Sequence, residues 1–234
     1  HLQFNFGIGS NYFMEIAKLR AIRTLWAQIV NAFNSKQEKS KQAYIHSVTS
    51  EWNQTIYDPH MNILRATTES MAAVIGGTDS LTVSPFTQPI KKTTEFSDRV
   101  ARNIQIILKE EAYLNKIIDP SAGSYYIENL TDSLLTEVWK TVLDIEAEGG
   151  YSEALKKGII QKEIQETVVQ RKLKIATRKE ILVGSNQYPN LDEKINEELS
   201  ETIAFPFIQA KETLVQPVEI SRGAIGIEIL RLAT

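Results

Sequence analysis

Three imidazoles, His1, His46 and His60, are the first residues to ask for chemistry. A metal centre needs convergent ligands, and no two histidines share a helix face at metal-binding spacing. Scattered structural histidines are the favoured interpretation. His46 is the most interesting of the three. It falls near the carboxyl end of an expected parallel strand (43–49, AYIHSVT), where barrels and open sheets place their ligands. It could donate to a bound ligand, but a histidine satisfied inside a barrel lumen is favoured. Gly7-Ile8-Gly9 follows a strand and opens a helix, as a dinucleotide loop would. Tyr12 occupies the third glycine position, so a plain tight turn is preferred. Gly76-Gly77-Thr78-Asp79-Ser80 could cradle a phosphate, though ending a helix is the better account. The lysine-rich stretch 35–41 (SKQEKSK), with Lys39 in it, could steer an anion such as a coenzyme A phosphate. A solvated loop is the favoured alternative.

The elements that must hold these residues alternate in the first part of the chain. Residues 3–8 alternate as a short strand. A helix capped by Ser10 or Asn11 follows, with Ile22, Leu25, Trp26, Ile29, Val30 and Phe33 on its buried face. A second strand spans 43–49, and Asp58-Pro59 starts a helix that runs to Ile75. Residues 80–83 make a third strand. Long helices between successive strands imply parallel pairing and an α/β sheet or barrel.

After Pro89, helical periodicity takes over. Val100, Ile104, Ile107 and Leu108 mark one helix. Leu135, Val138, Trp139, Val142 and Ile145 mark a second, opened by a Thr131 cap and closed at Gly149-Gly150. Short and long helices are expected over 152–157 and 159–178, with an extended piece at 181–183. Pro189, Pro206 and Pro217 punctuate 185–218, which is expected to be an extended wrapping segment, and 220–232 is expected to be helical.

Composition bounds the whole. The 234 residues exceed the ~150 of a typical domain, so one domain with an appendage is expected. The chain has no cysteine, which excludes disulfides, thiolate metal sites and cysteine nucleophiles. The net charge of -3, with both signs mixed, gives no footprint for nucleic acid. No apolar run approaches the ~20 residues of a membrane span. A cytoplasmic location is the default expectation. The two ends suggest a piece of a longer protein.

Four blocks carry a family resemblance: FGIGSNYFMEIAKLRAIRTLWA (6–27), TSEWNQTIYDPHMNILRATTESMAAVIGGTDSL (49–81), FSDRVARNIQIILKEE (96–111) and DPSAGSYYIENLT (119–131). In this order they resemble the methylmalonyl-CoA mutases. The resemblance implies a partial (β/α)8 barrel of about three parallel strands over 1–90. A mostly helical linker region would follow over 91–234. It also implies an adenosylcobalamin-dependent isomerase that interconverts methylmalonyl-CoA and succinyl-CoA. The coenzyme A ester would thread the barrel, and cobalamin would sit on a later domain, so no cofactor is expected on this stretch.

The ligand-facing positions depart from the family's catalytic chains. His1 and Gln3 stand where the first strand has arginine and serine. On the second strand Tyr44 replaces arginine, Val48 replaces glutamine and Glu51 replaces glycine, while His46 and Trp52 are kept. On the third, Thr82 replaces histidine, Ser84 replaces asparagine and Gln88 replaces glutamate. Exchanging glutamine for valine deletes both donor and acceptor. The resemblance therefore points to the small, non-catalytic subunit of a heterodimeric mutase. That subunit would pair with a catalytic large subunit. No catalytic residue and no metal site is expected, and His46 and Lys39 remain as residual cofactor-binding candidates. A catalytic mutase with another acyl specificity and a degenerate coenzyme A ester-binding module are the alternatives. Three βα units cannot close a barrel, so self-association through a sheet edge, or a cover from 185–218, is expected.

Overall fold

The computed structural model describes residues 2–90, 93–193, 213–218 and 221–232. In chain order the elements are β1 (Gln3–Ile8), α1 (Tyr12–Ala32), β2 (Tyr44–Thr49), α2 (Met61–Ile75), β3 (Ser80–Thr82), α3 (Glu95–Glu110), α4 (Tyr125–Ala147), α5 (Tyr151–Lys156), α6 (Ile159–Ala176) and α7 (Ile225–Leu232). A single-turn 3₁₀ helix, Glu38–Lys41, precedes β2. This is the expected α/β arrangement of three parallel strands with helices, followed by further helices.

The chain forms two compact units. The first is built from 1–50, 63–85 and 94–140. Its sheet is parallel throughout, in the order β1-β2-β3. The register sets Asn5 beside His46 and His46 beside Ser80. Because side chains alternate along a strand, each strand shows one set of residues to each face. Phe4, Phe6, Ile8, Ile45 and Leu81 share the face that packs with Ile16 and Leu19 of α1 and Ala72 and Ala73 of α2. A second cluster joins Ala66 and Val83 to Ala101, Ile104 and Leu108 of α3. Thr94 and Ser97 close the start of α3 reciprocally, each side chain accepting from the other's backbone N–H.

Gly76 shows why a glycine ends α2. A Cβ there would stand 3.0 Å from Leu19 Cδ1 and 3.2 Å from Ile16 Cα, so α1 and α2 could not approach as they do. Gly77 then takes a left-handed φ of 83°, and Thr78 N–H returns to Ala73 O at 3.1 Å. The glycine pair is a helix stop, as preferred from the sequence.

The second unit comprises 51–62, 86–93 and 141–234. Ile175, Leu182 and Ala224 form its core with Trp52 and Ile227. The Arg222–Glu228 ion pair, 2.8 Å long and 1% and 0% exposed, lies inside this unit. Glu228 also accepts from Ile56 N–H at 2.8 Å, and Arg222 donates to Gln54 O at 3.1 Å. These bonds fasten α7 to the loop that follows β2.

Several local expectations change. Asn11 precedes α1 but its side chain makes no capping bond. The buried face of α1 begins earlier, at Ile16 and Leu19, and Phe33 is 83% exposed because the helix stops at Ala32. Asp58 adopts a φ of 47°, so α2 starts three residues later, at Met61. Thr131 is not a cap. It lies in the second turn of α4 and donates to Ile127 O at 2.7 Å. The extended piece at 181–183 is a single bridge, Val183 to Gln187. Most of 185–218 lies outside the described residues, so its wrapping role is not addressed by them.

Candidate functional site

The opposite face of the sheet is mostly polar, with Gly7 and Val48 also on it. Gln3 and Asn5 of β1, Tyr44 and His46 of β2, and Ser80 and Thr82 of β3 all lie on it. None of these six is buried. Sheets of parallel strands bury both faces when complete. A polar, open face on such a sheet is where a ligand or the rest of a barrel belongs.

His46 is the third of six residues in β2, in the strand's middle rather than near its carboxyl end as expected. Its Nδ1 lies 2.7 Å from Ser80 Oγ and its Nε2 3.3 Å from Thr82 Oγ. The two β3 hydroxyls thus occupy both ring nitrogens. Register explains the contact, since Ser80 pairs with His46 and Thr82 follows on the same face. Ser80 beside an imidazole has the outline of a nucleophile and its base. The third partner that fixes a catalytic tautomer is ordinarily a carboxylate, and here it is neutral Thr82. Among the described residues no three His, Asp or Glu side chains converge as metal ligands would. The arrangement can hold an imidazole still but lacks the parts to drive acyl transfer.

Lys39 sits in the 3₁₀ turn before β2. It borders an open recess of about 610 Å³ with Gln3, Trp26, Gln37 and Tyr44. Trp26 is fixed there by its indole N–H, which donates to Ser40 O at 2.9 Å, and by Phe4, edge-on at 5.0 Å. Gln3 and Tyr44 are the first residues of their strands. The recess therefore opens at the amino ends of β1 and β2. Tyr44 is two residues from His46 on one face, so a single polar surface links the two residual candidates.

The sequence pointed to Asp79 only as part of the run 76–80, and to Asn5 not at all. Asp79 Oδ2 accepts from Ile45 N–H and Arg23 Nη2, both at 2.8 Å. It joins the strand ladder to α1, which makes it a structural carboxylate. Asn5 accepts from Gln3 Nε2 at 2.7 Å across one strand turn. Its alternation with Phe4 and Phe6 was the available signal.

A family model described as methylmalonyl-CoA mutase matches residues 1–214. The chain belongs to the methylmalonyl-CoA mutase family. It is 47% identical, over its full length, to the methylmalonyl-CoA mutase small subunit of Porphyromonas gingivalis, and it covers 38% of that protein. The large subunit of the same organism is 41% identical over 80% of this chain, which covers 26% of it. The mouse mitochondrial methylmalonyl-CoA mutase is 42% identical, again over 80% of this chain and 25% of its own length. The chain thus spans well under half of the mutase proteins it matches. Among the described residues no helix is long and apolar enough to cross a membrane.

Proposed function

We propose that this chain is part of a non-catalytic small subunit of an adenosylcobalamin-dependent methylmalonyl-CoA mutase. Its work is to pair with the catalytic large subunit and support it in the cytoplasm. Residues 1–90 form the end of a degenerate barrel, and residues 91–234 form the helical linker. One observation carries this: the imidazole of His46 is engaged by Ser80 and Thr82 on the open face of the sheet. The match to a small subunit extends over the full chain, whereas the match to a large subunit stops at 80% of it.

The mutase family uses adenosylcobalamin, which supplies radical initiation when bound. Among the described residues, His46 offers that group no uncommitted ring nitrogen. Were that group held through His46, a ring nitrogen would have to give up its hydroxyl partner, because Nδ1 faces Ser80 and Nε2 faces Thr82. We therefore route no step of the reaction through this chain and assign the cobalamin to another part of the complex.

The test uses the full-length natural chain and its large subunit. Isomerase turnover of the complex is expected to stay within about twofold when His46 is changed to alanine. Loss of turnover in that variant would overturn the proposal. So would isomerisation of an acyl-CoA by the small chain alone with adenosylcobalamin. The Lys39 recess favours a second reading, a retained coenzyme A ester site. Calorimetric titration with coenzyme A decides it, and flat heats remove it.

A further inference from the structure

The sequence writes a helix start that the structure does not use. Asp58-Pro59 is a helix-opening pair, because aspartate favours the position before a helix and proline its first turn. Yet α2 begins at Met61, and Asp58 takes a left-handed φ of 47°. An aspartate that caps a helix has extended backbone, and a residue before proline prefers it too. Both local preferences therefore point away from the observed conformation. A residue held so far from its preference persists only where its surroundings over-determine it.

Those surroundings lie in the second unit and come from far along the chain. Asp58 N–H donates to both carboxylate oxygens of Glu193, at 2.9 and 3.0 Å. The backbone of Gly184 crowds the Asp58 side chain: a Cβ on Gly184 would lie 3.1 Å from Asp58 Cβ. Gly184 O accepts from Arg231 Nη1 at 3.3 Å, and the Arg231 guanidinium lies 3.6 Å from the centroid of the Tyr57 ring. Arg231 thus spans the two groups that flank Asp58. Thr55, by contrast, is held from nearby. Its N–H donates to Asn62 Oδ1 at 3.0 Å, and its O accepts from Asn62 Nδ2 at 2.8 Å. These bonds use neither Glu193 nor Arg231, so Thr55 can be the pivot for a rearrangement of 57–60.

We propose that α2 has two starts, and that Glu193 and Arg231 select the shorter helix. Clasped, Asp58 is left-handed and the helix begins at Met61. Unclasped, Asp58 returns to extended backbone as the cap. Its carboxylate then accepts from the N–H of His60 or Met61, and the helix begins at Pro59. The change re-aims His60, whose ring now lies against Phe86 with centroids 5.3 Å apart. Residues 50–60 leave the carboxyl end of β2, the end where parallel sheets place ligands. Arg231 lies on α7, so the seating of α7 sets the shape of that end, whether or not the chain is catalytic. Such coupling is reciprocal: a ligand that fixes one start also biases α7.

The test is crystallographic, on the full-length natural chain. The unaltered chain should show Asp58 left-handed and α2 beginning at Met61. In the double variant, Glu193→Ala with Arg231→Met, the φ of Asp58 should become more negative than about −60°. The first helical residue should move back to Pro59. Adding Asp58→Gly should return the start to Met61. Glycine takes the left-handed conformation freely and brings no carboxylate to cap the longer helix. Where the double variant does not fold, Glu193→Ala alone, a change at a half-buried side chain, should give the same shift at Asp58. A left-handed Asp58 in the variants overturns the proposal, because the clasp would not be what holds it. So does a disordered 56–60, which would show a lost bond and no second start. An extended Asp58 in the unaltered chain overturns it as well.

Discussion

Arg20 and Arg222 make nearly the same bonds in very different settings. Each guanidinium engages a glutamate with two nitrogens, Arg20 with Glu128 and Arg222 with Glu228. Arg222 and its partner are 1% and 0% exposed, while Arg20 is 15% exposed and its carboxylates about 40%. The buried pair closes a core, because water cannot replace either member. The half-exposed pair, with Asp119 also on Arg20, ties down the outer turn between α3 and α4. One chemistry thus serves core packing in one unit and a surface tie in the other, and burial decides which.

The largest effect should come from breaking the buried pair. Glu228→Ala strands the Arg222 charge and removes the acceptor for Ile56 N–H, so a loss of about 3–5 kcal/mol is expected in denaturant unfolding. Replacing both members, Arg222→Met with Glu228→Leu, should cost far less, because no uncompensated charge remains. If the two variants were equally destabilised, packing rather than charge would be the source.

Gly223→Ala comes next, with a loss of about 1–3 kcal/mol from overpacking. The added Cβ would stand 2.6 Å from Ile175 Cδ1 and 3.1 Å from Trp52 Nε1. Gly226→Ala, with nothing within 4 Å of its Cβ, is the matched control and should be neutral or slightly stabilising. Thermal midpoints of the pair decide the matter.

Much of the first unit was legible in the sequence. The strand at Gln3–Ile8 followed from alternation, the strand expected over 43–49 is observed at Tyr44–Thr49, and the Gly76-Gly77 stop followed from its composition. What was not legible has physical causes. Phe33 continues the apolar spacing of α1, but spacing cannot say where a helix ends. Thr131 resembles a cap because its hydroxyl bonds backbone, yet it bonds back to Ile127 O within the helix. His46 was singled out by its type and its expected place on a strand, but its partners Ser80 and Thr82 lie 34 and 36 positions further on and meet it through strand register, which no local pattern reveals. Arg222 and Glu228 are six residues apart, a spacing that forms no helical pair, so their meeting left no sequence signal.

The Arg20 side of the comparison should give the smallest effect, and pH reads it most directly. Hydrogen bonds from Arg20, then from Gly123 N–H, hold the Glu128 carboxyl below its ordinary range, and Glu128 in turn holds Arg20 above its own. A carboxylate with a lowered folded-state value binds fewer protons folded than unfolded. Its stabilisation is therefore complete above the ordinary glutamate value of about 4.3 and fades as the pH falls through the lowered one. Carbon-13 titration of the Glu128 carboxyl should find its midpoint below that ordinary value. Arg20→Met should move the midpoint up and speed amide exchange across residues 119–124, leaving the amides of Gln54 and Ile56 unchanged. An ordinary midpoint in the unaltered chain would mean that Arg20 does not pin the turn in solution. The contrast between an arginine that closes a core and one that ties down an outer turn would then fail.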